Sequence, residues 1–296
     1  MRRDAAYWAR RIRMSTVRTW AIVEGSHYDT PYYEGVLTHG ANTTTTPLEA
    51  EDILIDGLSA GGKAHSLKVL SALRDLGALQ QENRRTKIDV IVFVDRDDDD
   101  FLNKIVVDPH LHYTSNSDVE ADIVAGADLV TAIARSYSIP RSESETYTPA
   151  TPHESLATRW AEWITLRLAS AACEWSDTRF AQPSSINVPK FEQSVDASLV
   201  EGICGRVRAA SPSWDVEYER AKTFMRAEER SGRHGLHVKG KWLAPFISHE
   251  VERQMSPIRA VNAVNANSFL ASCLGTIDFP LLWSLRFGRL QGLLSR

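Results

Sequence analysis

A segment that is apolar almost throughout and then stops at a run of acidic residues constrains the fold of this chain more than any other feature. Residues 88–100 read IDVIVFVDRDDDD. A short run of β-branched and aromatic residues without polar alternation is typical of a strand that is covered on both faces, as in a parallel sheet. The sequence therefore predicts a central buried strand that brings Asp95, and two positions later Asp97, to one end of a sheet.

Strand and helix signals alternate between residues 17 and 136, and this alternation predicts the class of fold. The segment VRTWAIVEG (17–25) is a strand candidate that ends at Glu24, and GGKAHSLKVLSALRDLGAL (61–79) repeats leucine at helical spacing. Strands that alternate with helices favour an α/β fold, with a mostly parallel sheet flanked by helices. The other elements predicted here are a helix through residues 32–37, a loop at 41–47 (ANTTTTP), a short strand at 51–56, a weaker strand at 111–114 and a helix at 118–136.

The second half of the chain is predicted to be mainly helical. Residues 138–152 are rich in Ser, Thr, Glu and Pro, which favours a linker or loop. An apolar stripe from Leu156 to Leu168 indicates a helix that faces a core. We therefore predict an α/β domain at 1–137, which begins with a basic helix, and a mainly helical domain at 150–296. Further helices are predicted at 194–208, 213–231 and 241–255.

Composition excludes several classes of protein. The net charge of −4 provides no overall basic field, so any binding of nucleic acid has to be local. The three cysteines form no C-x-x-C pair and predict neither a disulfide framework nor a zinc site. No apolar run is long enough to span a membrane, and the first residues lack the apolar core of a secretion signal. We therefore expect a cytoplasmic protein that does not bind a membrane.

Acidic residues follow two of the predicted strands, at the edge where parallel sheets bind their ligands. Glu24 closes the first strand, Asp95 closes the central strand, and Asp97 shares a side with Asp95 in an extended segment. Such carboxylates repel one another unless a cation lies between them, and Mg²⁺ suits both oxygen ligands and a phosphate substrate. The sequence thus predicts a site for Mg²⁺, or Mn²⁺, at this edge. Residues 98–100 are interpreted as the acidic start of a helix.

The order of these motifs resembles a TOPRIM domain. The motifs are VEG (23–25) at the end of a strand, GGK (61–63) before a helix, DRD (95–97) after a strand and T-x-x-x-D-x-E (114–120), with K-G-K (239–241) in the helical half. Their arrangement is similar to that of the TOPRIM nucleases of bacterial anti-phage defence, a family that includes the AriB effector and is distantly related to the OLD nucleases. The resemblance implies a metal-dependent nuclease that hydrolyses phosphodiester bonds of DNA or of RNA, including tRNA.

The resemblance also implies roles for individual residues and for partners. Some relatives act with an ATPase partner subunit, and a homodimer is the other assembly that we consider. The sequence departs from the family pattern at two positions. An extra residue precedes Asp29, which therefore receives no role, and Ala121 replaces an asparagine. The residues assigned are Glu24, Asp95, Asp97 and Glu120 as metal ligands, Glu24, Asp95, Asp97 and Lys63 as catalytic residues, and Lys63, Lys239 and Lys241 as contacts to the substrate phosphate.

Two alternative functions stay open. The same fold without a metal would give a catalytically silent module that docks onto an ATPase. A P-loop NTPase is the weaker alternative, because GLSAGGKA (57–64) fits G-x-x-x-x-G-K but has Ala64 where a hydroxyl would bind Mg²⁺. His110 and His112, which alternate in DPHLHY, are interpreted as residues of a strand rather than as metal ligands.

Overall fold

The computed structural model of the chain describes residues 2–25, 27–83, 86–175, 191, 196–258, 260 and 262–294. In these residues the strands come early and the helices follow. The strands are β1 (Arg3–Asp4), β2 (Thr19–Val23), β3 (Thr45–Glu49), β4 (Ile53–Leu54), β5 (Gln80–Asn83), β6 (Thr86–Val94) and β7 (Leu111–Tyr113). The helices are α1 (Ala5–Arg13), α2 (Asp29–Gly35), α3 (Lys63–Asp75), α4 (Asp99–Leu102), α5 (Val119–Gly126), α6 (Leu129–Tyr137), α7 (Arg141–Tyr147), α8 (Pro152–Arg159), α9 (Ala161–Ala172), α10 (Ala197–Ala210), α11 (Trp214–Arg230), α12 (Gly240–Met255), α13 (Ala266–Leu274), α14 (Phe279–Arg286) and α15 (Gly288–Leu294). A π-helix, Val36–Gly40, continues α2.

The chain divides into two units that are interleaved along the sequence. Unit 1 comprises Met1–Arg96, Val106–Ser115 and Ile277–Arg296, and it holds all the strands of the described residues. Unit 2 comprises Asp97–Ile105 and Asn116–Thr276, and it is helical. The continuous domains predicted at 1–137 and 150–296 do not coincide with these units, and as independently folding domains they stay a prediction.

Unit 1 contains a five-stranded sheet in the order β3-β2-β6-β5, in which β7 also pairs with β6. The pairs β2–β3, β2–β6 and β6–β7 are parallel, whereas β5 is antiparallel to β6. Strands β5 and β7 share the edge of β6 that faces away from β2. The sheet is therefore mixed but mostly parallel. The predicted α/β fold and the mainly helical region that follows it are confirmed.

Helices cover both faces of this sheet. On one face, Trp20 and Ile22 of β2 and alternate residues of β6 pack with apolar residues of α1 and α3 in one buried cluster. On the other face, the Tyr33 ring of α2 stacks on Phe93 of β6, with ring centroids 3.9 Å apart. Because side chains alternate between the two faces of a strand, a strand covered on both sides is apolar at nearly every position. This is why the run that ends at Asp95 shows no alternation.

The last helices of the described chain also belong to unit 1. Phe279 of α14 contacts the Tyr32 ring, with centroids 6.4 Å apart. Phe287, which follows α14, stacks on His112 of β7 with centroids 4.8 Å apart. The Lys87 ammonium donates a hydrogen bond to the carbonyl oxygen of Leu293 in α15 at 2.9 Å. These contacts complete the side of unit 1 that α2 and β7 form.

Unit 2 is built from helices that pack around buried aromatic residues. The rings of Trp163 in α9 and Trp242 in α12 meet edge to face, with centroids 4.6 Å apart. Trp214 is fully buried at the start of α11, which packs against α9. The stripe predicted from Leu156 to Leu168 is buried as expected, although α8 and α9 divide it between them.

The other helices predicted in the second half are also present. They correspond to α10, α11 and α12, while residues 194 and 195 lie outside the described residues. Within the described ranges, no single helix is long and apolar enough to cross a membrane. Helices α13 and α14 pass such a test only when they are taken together.

Two segments that were predicted to be loops contain regular structure. Part of ANTTTTP forms β3, which pairs with β2 along its whole length. Threonine is β-branched and suits a strand, and Pro47 is tolerated because β3 is an edge strand that is hydrogen-bonded on one side. The polar segment 138–152 contains α7. This helix is held by the Ser144 hydroxyl, which donates to the carbonyl of Val130 at 2.8 Å, and by an ion pair from Arg141 to Asp128 at 2.8 Å.

Candidate active site

The ends of β2 and β6 meet at the point where the order of the sheet reverses. From β2 the chain passes to β3 on one side and later returns to β6 on the other side. In parallel sheets this reversal opens a crevice beyond the carboxyl ends of the two strands. Because Ile22 lies opposite Val92, Glu24 and Asp95 follow two strand ends that lie nearly level. The prediction that these two residues follow neighbouring parallel strands is confirmed.

A hydrogen bond joins the two acidic positions directly. The backbone N–H of Asp95 donates to Glu24 Oε2 at 3.2 Å. Glu24 and Asp95 are both half-buried. The bond to the Asp95 backbone orients the Glu24 side chain along the carboxyl end of β6.

Lys63 lies at the same edge of unit 1, at the first residue of α3. Gly62, which precedes it, has φ = +86°, a backbone conformation that favours glycine, and a Cβ added there would be 3.9 Å from Glu24 Oε1. The Lys63 ammonium donates to the carbonyl oxygen of Arg96 at 3.3 Å. The start of α3, which is the positive end of the helix dipole, therefore lies beside the two acidic positions. The strand before this turn, β4, pairs with β1 outside the main sheet, which disfavours the P-loop interpretation.

Asp97 does not continue the extended backbone of Asp95. Its φ is +50°, in the left-handed region, so the argument that alternate residues share a side does not hold there. The expectation that Asp97 shares a side with Asp95 in an extended segment is therefore wrong. In unit 2 its carboxylate forms an ion pair with Lys239, with Oδ1 and Nζ 2.8 Å apart. Burial alone would lower the pKa of Lys239, but the Asp97 carboxylate holds this pKa above its usual value.

The acidic residues after Asp97 have two different roles. Asp99 and Asp100 lie in the first turn of α4, as expected for an acidic helix start. Asp98 instead pairs with Arg167 of α9, whose Nη2 donates to Asp98 Oδ1 at 2.6 Å and to the carbonyl of His237 at 3.0 Å. The Arg167 guanidinium also lies over the Trp163 ring, 5.2 Å from its centroid.

Sequence reasoning assigned no role to Asp118, the buried aspartate of the T-x-x-x-D-x-E motif. Asp118 caps α5 and also accepts a hydrogen bond from Gly240 N at 2.9 Å. Burial and the neighbouring Glu120 carboxylate raise the pKa of Asp118 to about 7, against the opposing effect of the two backbone N–H groups. The pattern S-D-V-E before an apolar run marks a helix start, but nothing in it indicates the contact with Gly240. Glu120 lies in the first turn of α5.

Lys241 lies in the first turn of α12 and is exposed. Its ammonium lies over the Trp242 ring, 4.9 Å from the centroid. Partial desolvation and the nearby Lys239 lower the pKa of Lys241. No ion pair to Lys241 occurs among the residues that the structure describes, so its charge is available to an anion.

The described ranges contain no group of three or more His, Cys, Asp or Glu side chains arranged to hold a metal ion. Glu24 and Asp95 nevertheless supply two carboxylates at adjoining strand ends. Mg²⁺ is commonly held by one or two carboxylates together with water and substrate phosphates, rather than by a complete cage of protein ligands. These two residues of unit 1 therefore fit a Mg²⁺ ion whose remaining ligands are water and substrate oxygens.

His110 and His112 are part of the packing of unit 1. The Nδ1 atom of His110 lies 2.8 Å from the carbonyl oxygen of Val90. His112 contacts Phe93 at its edge and stacks on Phe287. Burial, with Arg289 and Arg96 nearby, lowers the pKa of His112 to about 4. His112 lies in β7, as predicted, whereas His110 lies in the turn that precedes this strand.

The lowered pKa of His112 predicts a pH-dependent stability. The unfolded chain protonates this histidine near pH 6.5, whereas the folded state resists protonation down to about pH 4. Stability from the neutral ring is present above pH 6.5 and is lost as the pH falls towards 4, by about 3 kcal/mol in total. We expect His112→Phe, which retains an aromatic ring, to flatten this dependence in urea unfolding measured at several pH values. A variant that loses stability with acid as steeply as the wild type would contradict this prediction.

Comparison of the chain with models of known protein families finds no match, and comparison with curated proteins finds none either.

Proposed function

We propose that the protein is a Mg²⁺- or Mn²⁺-dependent nuclease of the TOPRIM type. The observation that carries the proposal is the hydrogen bond from the Asp95 backbone to the Glu24 carboxylate at the reversal point of a mostly parallel sheet. Carboxylates at such a point are suited to metal-assisted chemistry on a phosphate, because the crevice beyond the strands admits a ligand. A role in anti-phage defence, with or without an ATPase partner, follows from the sequence resemblance alone.

In this proposal Glu24 and Asp95 hold the metal ion, and the resemblance adds Asp97 and Glu120 as further ligands. When bound, the ion would supply a nucleophilic water and would neutralise the charge that develops on the phosphate. Glu24 is also the candidate general base for an attacking water, since the bond from the Asp95 N–H to Oε2 fixes the orientation of its carboxylate. In this proposal, residues at one edge of unit 1 orient the attacking water and accept its proton.

The sequence resemblance assigns three lysines as candidate contacts to the substrate phosphates. Lys63 lies at the start of α3, where the helix dipole adds to its positive charge. Lys241 is exposed and basic, so it is suited to contact a nucleic-acid backbone. Lys239 forms an ion pair with Asp97 and so neutralises part of the local negative charge.

The proposal is tested by a cleavage assay with DNA and tRNA as separate substrates, in the presence and absence of any ATPase encoded beside the protein. We expect cleavage that requires Mg²⁺ or Mn²⁺ and is abolished by EDTA. Lys63→Ala should lower the rate by about tenfold, because phosphate contacts are shared among several donors. Lys68→Ala, which removes an exposed lysine from the same helix, is the matched control and should cleave like the wild type. Equal cleavage rates for Lys63→Ala and Lys68→Ala would show that Lys63 does not contribute to cleavage.

A catalytically silent module that docks onto an ATPase is the second candidate function. The observation that favours it is the Lys239–Asp97 ion pair, in which an ammonium already neutralises one of the carboxylates assigned to the metal. Titration with Mn²⁺ followed by electron paramagnetic resonance separates the two functions. A nuclease should bind Mn²⁺, and Asp95→Asn should weaken this binding. A silent module should show no Mn²⁺ binding that depends on Asp95.

A further inference from the structure

The turn that carries Lys239, Gly240 and Lys241 is tied to α5 by one buried aspartate. Asp118 Oδ1 accepts a hydrogen bond from Ala121 N at 2.9 Å, which caps α5. The same oxygen accepts from Gly240 N at 2.9 Å, and Oδ2 lies 3.1 Å from that nitrogen. A single carboxylate therefore joins the start of α5 to the start of α12, although the two residues are 122 positions apart in the sequence.

Close packing at Gly240 adds a second constraint on the same turn. A Cβ at this position would overlap the backbone of Ala121 and the Cβ of Glu120. Any larger residue would therefore push the turn away from α5. Lys239 occupies the N-cap position of α12, and its ammonium reaches Asp97 Oδ1 at 2.8 Å. The position of this ammonium depends on where the turn is held.

We propose that Asp118 is a positioning residue, which holds the Lys239–Gly240–Lys241 turn on α5 and thereby keeps the Lys239 ammonium on Asp97. Asp118 accepts one backbone hydrogen bond from the helix that it caps and another from the turn, so it fixes the turn relative to α5. Asp118 acts through Lys239 and does not contact substrate. Its importance for cleavage rests on the proposed function, but its effect on Lys239 does not.

Acylation of lysines by an amine-reactive ester, followed by mass spectrometry, measures how firmly Lys239 is held. Asp118→Ser is the informative variant, because serine caps helices well but its oxygen lies one bond nearer the backbone and does not reach Gly240. We expect acylation of Lys239 to become about tenfold faster, since loss of one hydrogen bond shifts a local equilibrium by up to about that factor. Asp118→Asn retains an acceptor oxygen at the same distance and should restore a rate within about twofold of the wild type.

Two further variants separate positioning from a general loss of stability. Gly240→Ala should also accelerate acylation of Lys239, although Asp118 is intact in that variant. Asp128→Ser is the matched control, because Asp128 caps α6 through Thr131 N at 3.1 Å and contacts Arg141 rather than α12. Lys222, which pairs with Glu219 on α11 at 2.9 Å, is the internal reference and should react at the same rate in every variant.

The results decide the proposal without a substrate. It is supported if Asp118→Ser and Gly240→Ala expose Lys239 while Asp118→Asn and Asp128→Ser do not. It is overturned if Asp118→Ser leaves Lys239 unchanged, or if Asp128→Ser exposes it equally. A wild-type protein that cleaves no nucleic acid would defeat the proposed function and leave this result standing. Where cleavage is measurable, the rate of Asp118→Ser should fall and that of Asp118→Asn should stay near the wild type.

Discussion

Glu24→Gln should lower the rate of nucleic-acid cleavage by a factor of about 10²–10⁴, the range found when a positioned general base is lost. The amide keeps the volume of the side chain and an oxygen that can accept from the Asp95 N–H, but it neither accepts a proton readily nor attracts a metal ion. The fold should be unaffected or slightly more stable, because repulsion between neighbouring carboxylates is relieved. Initial rates at saturating Mg²⁺ and thermal unfolding of the same preparation measure both effects. Asp95→Asn should behave in the same way.

The matched control for Glu24→Gln is Glu51→Gln in the same unit. Glu51 lies near Gly25, where an added Cβ would be 3.9 Å from Glu51 Cγ, and its carboxylate pairs with Arg2 at 3.6 Å. It loses the same charge close to the candidate site without belonging to it, so we expect the wild-type rate. If Glu24→Gln cleaves as fast as this control, the nuclease proposal fails and the docking module takes its place.

Asp98→Ala should destabilise the protein by about 3–5 kcal/mol, the cost of leaving a buried charge without its partner. The ion pair between Asp98 and Arg167 is well buried, with side chains 13% and 12% exposed. The arginine is also fixed by the carbonyl of His237, so it cannot turn into solvent without losing that contact. The free energy of unfolding, obtained from urea titration, measures the effect.

An exposed ion pair of unit 2 provides the comparison for Asp98→Ala. Arg208 and Asp215 are 58% and 67% exposed and lie 2.7 Å apart, so their geometry is as good as that of the buried pair. Asp215→Ala should lower the free energy of unfolding far less than Asp98→Ala does, because water and salt screen exposed charges. Equal losses in the two variants would mean that burial does not determine the contribution of the Asp98–Arg167 pair.

The elements that the sequence predicted well are those with strong local signals. The apolar run of β6, the β-branched segment of β2 and the leucine repeat of α3 each report burial on faces that the strand or helix period defines. The segments that became β3 and α7 were misread as loops because their residues are polar. Their structure depends on pairing with β2 and on contacts with α6, which a local pattern does not contain.

The candidate site was likewise predicted only where a local signal in the sequence marks it. Glu24 and Asp95 were predicted to follow neighbouring strands because the carboxyl ends of parallel strands share one edge of a sheet. The left-handed backbone of Asp97 broke the extended geometry assumed for it, and no local signal marks that turn. Asp118 received no role because its hydrogen bond from Gly240 joins residues far apart in the sequence. Distant contacts of this kind are decided by tertiary packing, which periodicity does not encode.

The packing of residues 279–293 onto unit 1 has a consequence for synthesis on the ribosome. Lys87 meets Leu293 across 206 positions of sequence, and α14 contacts α2, which is made even earlier. At typical rates of translation, the sheet would emerge about 10–40 s before these last helices are available. During that interval the aromatic side formed by Tyr32 and His112 lacks its partners Phe279 and Phe287. The nascent chain therefore exposes an apolar surface that chaperones can bind, and unit 1 reaches its final packing only after unit 2 has been translated.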